Sequence, residues 1–191
     1  MTPADDRMPP IPRERMSAAQ AAAANELIAG PRKGVKGPFI ALLRSPELMA
    51  RLQKVGEFLR FQSSLPARVS EFTTLVVARQ RTQQFEWFTH VPLALKAGTA
   101  RETIDALREG RRPASMSAPE ALVYDLVTEL SANKGVSDSL YREGVESLGE
   151  PGVLELISLV GYFTLISMVL NVAHTPGDVV DGIAPLPALP R

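Results

Sequence analysis

The chain contains no cysteine. Disulfides, thiolate metal sites, thiol redox chemistry and a cysteine nucleophile are excluded together. Histidine is almost as scarce, with two in 191 residues. Those two and the scattered acids give no metal-ligand spacing. An HExxH pair ending at His90 would need a histidine four residues earlier, where Glu86 stands. No metal and no cofactor is expected. There is no excess of either charge, with 21 basic and 21 acidic side chains, and no strongly basic stretch, so nucleic acid is not an expected partner. A nucleophile elbow, a P-loop and a dinucleotide fingerprint are all missing. The N-terminal stretch MTPADDRMPPIPRERM is charged and proline-rich, without the apolar core of a secretory signal. Nothing argues for export, and a cytoplasmic location is the expectation.

Long hydrophobic runs are also lacking, with one exception. Val153 to Ala173 is long enough to span a bilayer. It carries Glu155, Asn171 and hydroxyl residues and has no flanking basic cluster, so it reads as a buried core or interface helix rather than a membrane span.

What is present is helical punctuation. Alanines favour a helix over Ser17 to Ala29, stopped by Gly30-Pro31. The loop that follows carries Arg32, Lys33 and Lys36, either a solvated loop or a basic rim that attracts a carboxylate substrate. Ser45-Pro46-Glu47 starts a helix to about Ser63, and Pro66 opens another. In the latter, Val69, Phe72, Val76 and Arg79 keep helical spacing, which outweighs the β-prone run Leu75 to Val77. Gln83 to Ala97 forms the next helix, ending at Gly98. Thr99 to Glu102 and Ser117 to Glu120 both read as capping boxes. The second opens a helix with Leu122, Leu126 and Leu130 on one stripe. Ser137 caps a helix to Leu148, and Pro151 opens the apolar one. Strand alternation and hairpin signals are missing. The expectation is an all-α helical bundle of about eight helices. Residues 1–16 form a flexible N-terminal tail, 17–175 a single domain, and 176–191 a proline-rich tail, extended and wrapped over a neighbour.

Within the Gln83–Ala97 helix, Gln83, Glu86 and His90 fall at i, i+3 and i+7 and share one face. Glu86 and His90 are one turn apart. Their pairing raises the histidine's pKa and selects its tautomer, and in a desolvating pocket makes an acid/base couple. The same spacing also occurs in purely structural pairs. Trp87 sits off that face. His174, at the end of the apolar helix, reads as a capping or tail residue.

Glu71 to Gly110 reads E-x-x-x-L-x-x-A, then an aromatic residue followed by E-W-x-x-H, then A-x-x-x-G. This stretch resembles the carboxymuconolactone decarboxylase family, which belongs with the alkyl hydroperoxidase D-like proteins. The Gly37-Pro38 loop with its following helix, and the C-terminal apolar helix, extend the likeness over roughly residues 37–175. The resemblance implies an oligomeric all-α bundle (dimer, trimer or hexamer). The peroxidase branch of that family uses C-x-x-C-x-x-x-H with an upstream glutamate. Laid on this chain, the cysteines fall at Gln83 and Glu86, the histidine on His90 and the glutamate on Glu71. Thiol peroxidase chemistry therefore lacks its thiolates.

The decarboxylase branch implies a cofactor-free lyase acting on a small carboxylated lactone in aromatic-compound catabolism. By that likeness His90 donates a proton or steadies an oxyanion, Glu86 orients it, and Glu71 stands behind as a second acid. Gln83 offers its amide to a substrate oxygen, and Trp87 is a core residue or a wall of the substrate site. The alternatives are a non-catalytic oligomeric helical protein that keeps this face as a structural network, or antioxidant activity by a cysteine-free route.

Overall fold

The structure is a computed structural model that describes residues 6–187. Among the described residues there are eight α-helices and no strand, as the helical punctuation implies. They are α1 (Ala18–Ala29), α2 (Pro38–Leu42), α3 (Pro46–Phe61), α4 (Ala67–Gln80), α5 (Gln84–Lys96), α6 (Arg101–Arg108), α7 (Ala118–Asn133) and α8 (Asp138–Ala173). α8 is broken where the sequence places Leu148 and Pro151 between two helices: Gly149 takes φ 71°, ψ 165°, outside the helical region, and a helix resumes at the proline. The short helix α2 has no counterpart in the expected set. Gly37, with φ 55°, turns the chain into it, and Pro38 supplies its first residue.

α4 is the centre of the bundle. It packs on α5, α7 and α8, and every side chain from Phe72 to Ala78 is buried. The apolar run Leu75-Val76-Val77 suits a helix buried on nearly all sides, so surroundings and not β-propensity decide its state. The apolar half of α8 lies against α2, α3, α4 and α7. α8 is long and apolar enough to cross a membrane, but half of its most apolar window is buried inside the domain. Its outward face leaves Leu154, Ile157, Met168 and Val172 exposed.

The two expected capping boxes part company. Ser117 and Glu120 form theirs: the Ser117 amide donates to Glu120 Oε2 at 2.8 Å. Thr99 and Glu102 do not, because Ala100 is the N-cap of α6. The Thr99 hydroxyl instead donates to Glu120 Oε1 at 2.8 Å. Arg68 makes a two-pronged pair with the same carboxylate, at 2.9 and 3.0 Å. One fully buried glutamate thus ties α4, the α5–α6 turn and α7 together.

Both terminal segments lie on the domain where they are described. The Arg7 amide donates to Ala173 O, and Arg44 reaches Pro9 O. At the other end, Gln84 exchanges two hydrogen bonds with the Leu186 backbone, and Ile183 and Leu186 are buried. The described part of the proline-rich tail runs over α5 of its own chain. Residues 1–5 and 188–191 lie outside the described residues.

Candidate active site

α4 and α5 are joined by a turn at Arg81–Gln83, with Thr82 at φ 49°. The Gln83 side chain caps α5 by accepting from the Phe85 and Glu86 amides, and its Nε2 donates to Asn171 Oδ1 at 3.0 Å. Asn171 in turn donates to Arg81 O at 3.0 Å. This fixes the first turn of α5 against the end of α8, and so fixes where Glu86 and His90 stand.

His90 is 2% exposed and lies between two carboxylates. Its Nδ1 is 2.6 Å from Glu71 Oε2 on α4. Its Nε2 is 3.2 Å from Glu86 Oε2, one turn back on α5. Two partners that only accept, one on each ring nitrogen, are satisfied together when both nitrogens carry protons. Burial pushes the imidazole pKa down, but hydrogen bonds to Glu71 and Glu86 outweigh it, and the net shift is upward. The two acceptors thus favour the imidazolium form in this Glu–His–Glu chain. The edge of Phe163 on α8 closes its remaining side, with centroids 5.1 Å apart at 86°.

A cavity of about 810 Å³ lies beside this chain. Glu86 and His90 line it, and Glu71 does not. Its walls are aromatic (Phe39, Phe61, Phe85, Phe88, Phe163), and its polar groups include Arg32, Lys36, Arg60, Thr89 and Tyr162, with Asp6 and Asp178. Gly37 is required here on two counts: its φ is positive, and a Cβ would overlap the Phe85 ring.

Three of the five sequence-designated residues therefore come together: Glu71, Glu86 and His90. Glu86 and His90 both line the cavity, and Glu71 sits on the ring nitrogen away from Glu86. Gln83 and Trp87 do not line the cavity, a correction to the substrate-binding roles expected of them. The Gln83 carboxamide is consumed by the cap and by Asn171. The Trp87 ring is 1% exposed in the core, its indole N–H donating to Ala184 O at 3.0 Å. His174 is the left-handed C-cap of α8, in keeping with its capping role. Sequence reasoning missed Arg60 and Tyr162, whose only signal was a polar group at one position of an otherwise apolar stripe. Among the described residues, no group of three His, Asp or Glu side chains has the geometry to hold a metal ion.

Among the described residues, a buried Glu–His–Glu chain thus opens on an aromatic cavity within an all-α bundle. Residues 46–129 match the model of the carboxymuconolactone decarboxylase family, whose fold is the alkyl hydroperoxidase D-like one. The matched stretch contains Glu71, Glu86 and His90. No curated protein matches the chain.

Proposed function

We propose that the protein is a cofactor-free lyase that removes CO2 from a small carboxylated lactone. The observation that carries this reading is the position of Glu86: buried, hydrogen-bonded to an imidazolium, and facing a cavity with aromatic walls. Decarboxylation breaks one C–C bond and leaves the electron pair delocalised over the unsaturated lactone. The pair is quenched by a proton. The His90 Nε2–H passes its proton to the Glu86 carboxylate, which hands it on to carbon, leaving His90 neutral and Glu86 again a carboxylate. Glu71 keeps the positive ring in place while it does so. Dry aromatic walls favour charge leaving a carboxylate and spreading into the ring. In this scheme His90 is a relay and Glu86 the group that meets the substrate. A sealed cluster would favour a purely structural network, and the cavity on the Glu86 side argues against that.

The test follows loss of absorbance of a carboxymuconolactone-type substrate with wild type, Glu86→Gln and His90→Asn. Turnover in wild type that falls about 10²- to 10⁴-fold in both variants, with unchanged circular dichroism, supports the scheme. Variants as active as wild type overturn the assigned roles, and an inactive wild type overturns the substrate. Assembly with further copies of the chain belongs to the same proposal. The exposed Leu154, Ile157, Met168 and Val172 on α8, and Val55 and Phe58 on α3, support it. Light scattering on the eluting protein tests it, and a monomer refutes it.

A further inference from the structure

The proton chain leaves two arginines in the same cavity unexplained. Among the described residues, Arg32 Nε and Nη2 and Arg60 Nε are buried without a hydrogen-bond partner. Among the described residues no carboxylate oxygen comes within 4.0 Å of either guanidinium. Arg32 feels Glu57 and Glu86 only at longer range, and each arginine repels the other. Two half-buried like charges with idle buried donors are costly to keep unless something shared lies between them. Both guanidinium groups lie over aromatic rings, Arg32 over Phe39 at 4.6 Å and Arg60 over Phe61 at 5.3 Å. A ring contact of this kind uses no N–H donor, so the donors remain available to a planar acceptor.

Tyr162 completes the group. Burial pushes its phenol pKa up, so the O–H stays a donor. Gly56 on α3 makes room: a Cβ there would overlap the Tyr162 hydroxyl and sit 2.8 Å from Arg32 Nη2. Arg32 and Tyr162 lie outside the family-matched stretch, and Arg60 and Gly56 lie within it.

We propose that Arg32, Arg60 and Tyr162 form an anchor for a substrate carboxylate that the reaction leaves in place. The proposal rests on the reading of this cavity as a substrate site. Pairing with guanidinium groups stabilises a carboxylate in the ground state more than in a transition state whose charge has moved into the ring, so a carboxylate held here resists loss as CO2. The group that leaves must then sit away from the arginines, on the Glu86 side. The fitting ligand is a small, flat, unsaturated acid that keeps at least one carboxylate. A singly charged carboxylate fits better than a phosphate dianion, because the Glu86 carboxylate shares the space.

Calorimetry on the full chain with benzoate, benzamide and inorganic phosphate tests the anchor without requiring turnover. Benzoate is expected to bind wild type, with benzamide and phosphate much weaker. Arg32→Gln, Arg60→Gln and Tyr162→Phe each weaken benzoate, by roughly tenfold or more for the arginines. Glu86→Gln is expected to keep or tighten benzoate binding while losing turnover, because it removes a negative charge from the cavity. Should an arginine variant fail to fold, the wild-type comparison and Tyr162→Phe, which keeps the ring, still decide the question. Benzoate binding no better than benzamide, phosphate binding tighter than benzoate, or folded arginine variants that bind as wild type would each overturn the anchor. Selective benzoate binding by a protein that turns over no lactone supports the anchor and removes the decarboxylase reading alone.

Discussion

Two buried glutamates in this domain do opposite work. Glu120 is fully buried and every contact it makes is closed: Arg68 in a two-pronged pair, the Thr99 hydroxyl, and the Ser117 amide and hydroxyl. Glu86 is 3% exposed and has one side-chain partner, His90, with a cavity on its other side. A carboxylate whose lone pairs are all spoken for is a structural joint. A carboxylate with one proton-bearing partner and open space is able to exchange a proton. The lesson is that burial alone does not separate stability from chemistry, whereas the count of satisfied acceptors does.

The comparison is broken most sharply by exchanging the readouts. Glu86→Gln is expected to lower turnover by about 10²- to 10⁴-fold with little change in the urea unfolding midpoint. A large loss of stability with unchanged turnover would place Glu86 in the same class as Glu120. Next in size, Glu120→Ala is expected to cost about 3 kcal/mol in urea unfolding, because it strands the Thr99 hydroxyl, uncaps α7 and releases Arg68. Arg68 is partly exposed and regains water, which keeps the effect at the lower end for a broken buried pair. Benzoate binding by this variant should stay at the wild-type level once it is folded.

The pH dependences should diverge as well. His90 has a raised pKa in the fold, so its contribution to stability is complete below about pH 6.5 and fades as pH rises through the raised value. Glu120 is the reverse. Burial pushes its pKa up, but the hydrogen bonds led by Arg68 outweigh that and lower it overall. Its contribution is complete above about pH 4.3 and is lost as pH falls through the lowered value. The stability gap between wild type and His90→Gln should narrow on the alkaline side, and the gap to Glu120→Gln on the acid side. Gaps that narrow in the same direction would refute the assigned charges. The smallest effect concerns the C-terminal strap: Trp87→Phe removes the indole N–H bond to Ala184 O and should cost about 1 kcal/mol, read as a lower melting temperature with benzoate binding retained.

Much of this contrast was legible in the residues. Ser117 and Glu120 stand at capping-box spacing, and Glu86 and His90 at one helical turn. The equal spacing of Thr99 and Glu102 misled, because a threonine hydroxyl chooses between its own helix and a nearby buried carboxylate, and Glu120 is the better acceptor. Gln83 looked like a substrate ligand since it shares a face with Glu86. It lies at the helix end, where orphan amides claim its oxygen.

By itself the sequence determined the absence of thiol chemistry, the helical class, the breaks at glycine and proline, and the Glu86–His90 pair. These follow from composition and from contacts within a few residues, where spacing fixes geometry. Only the tertiary structure decided that Glu71 takes the far ring nitrogen, that Glu86 and His90 line a cavity, and that Arg32 and Tyr162 meet over Gly56 with Arg60 lining the same space. Those groups come from α4, α5, the loop before α2, α3 and α8. Their meeting is set by how helices pack on α4, a long-range outcome that no local periodicity records.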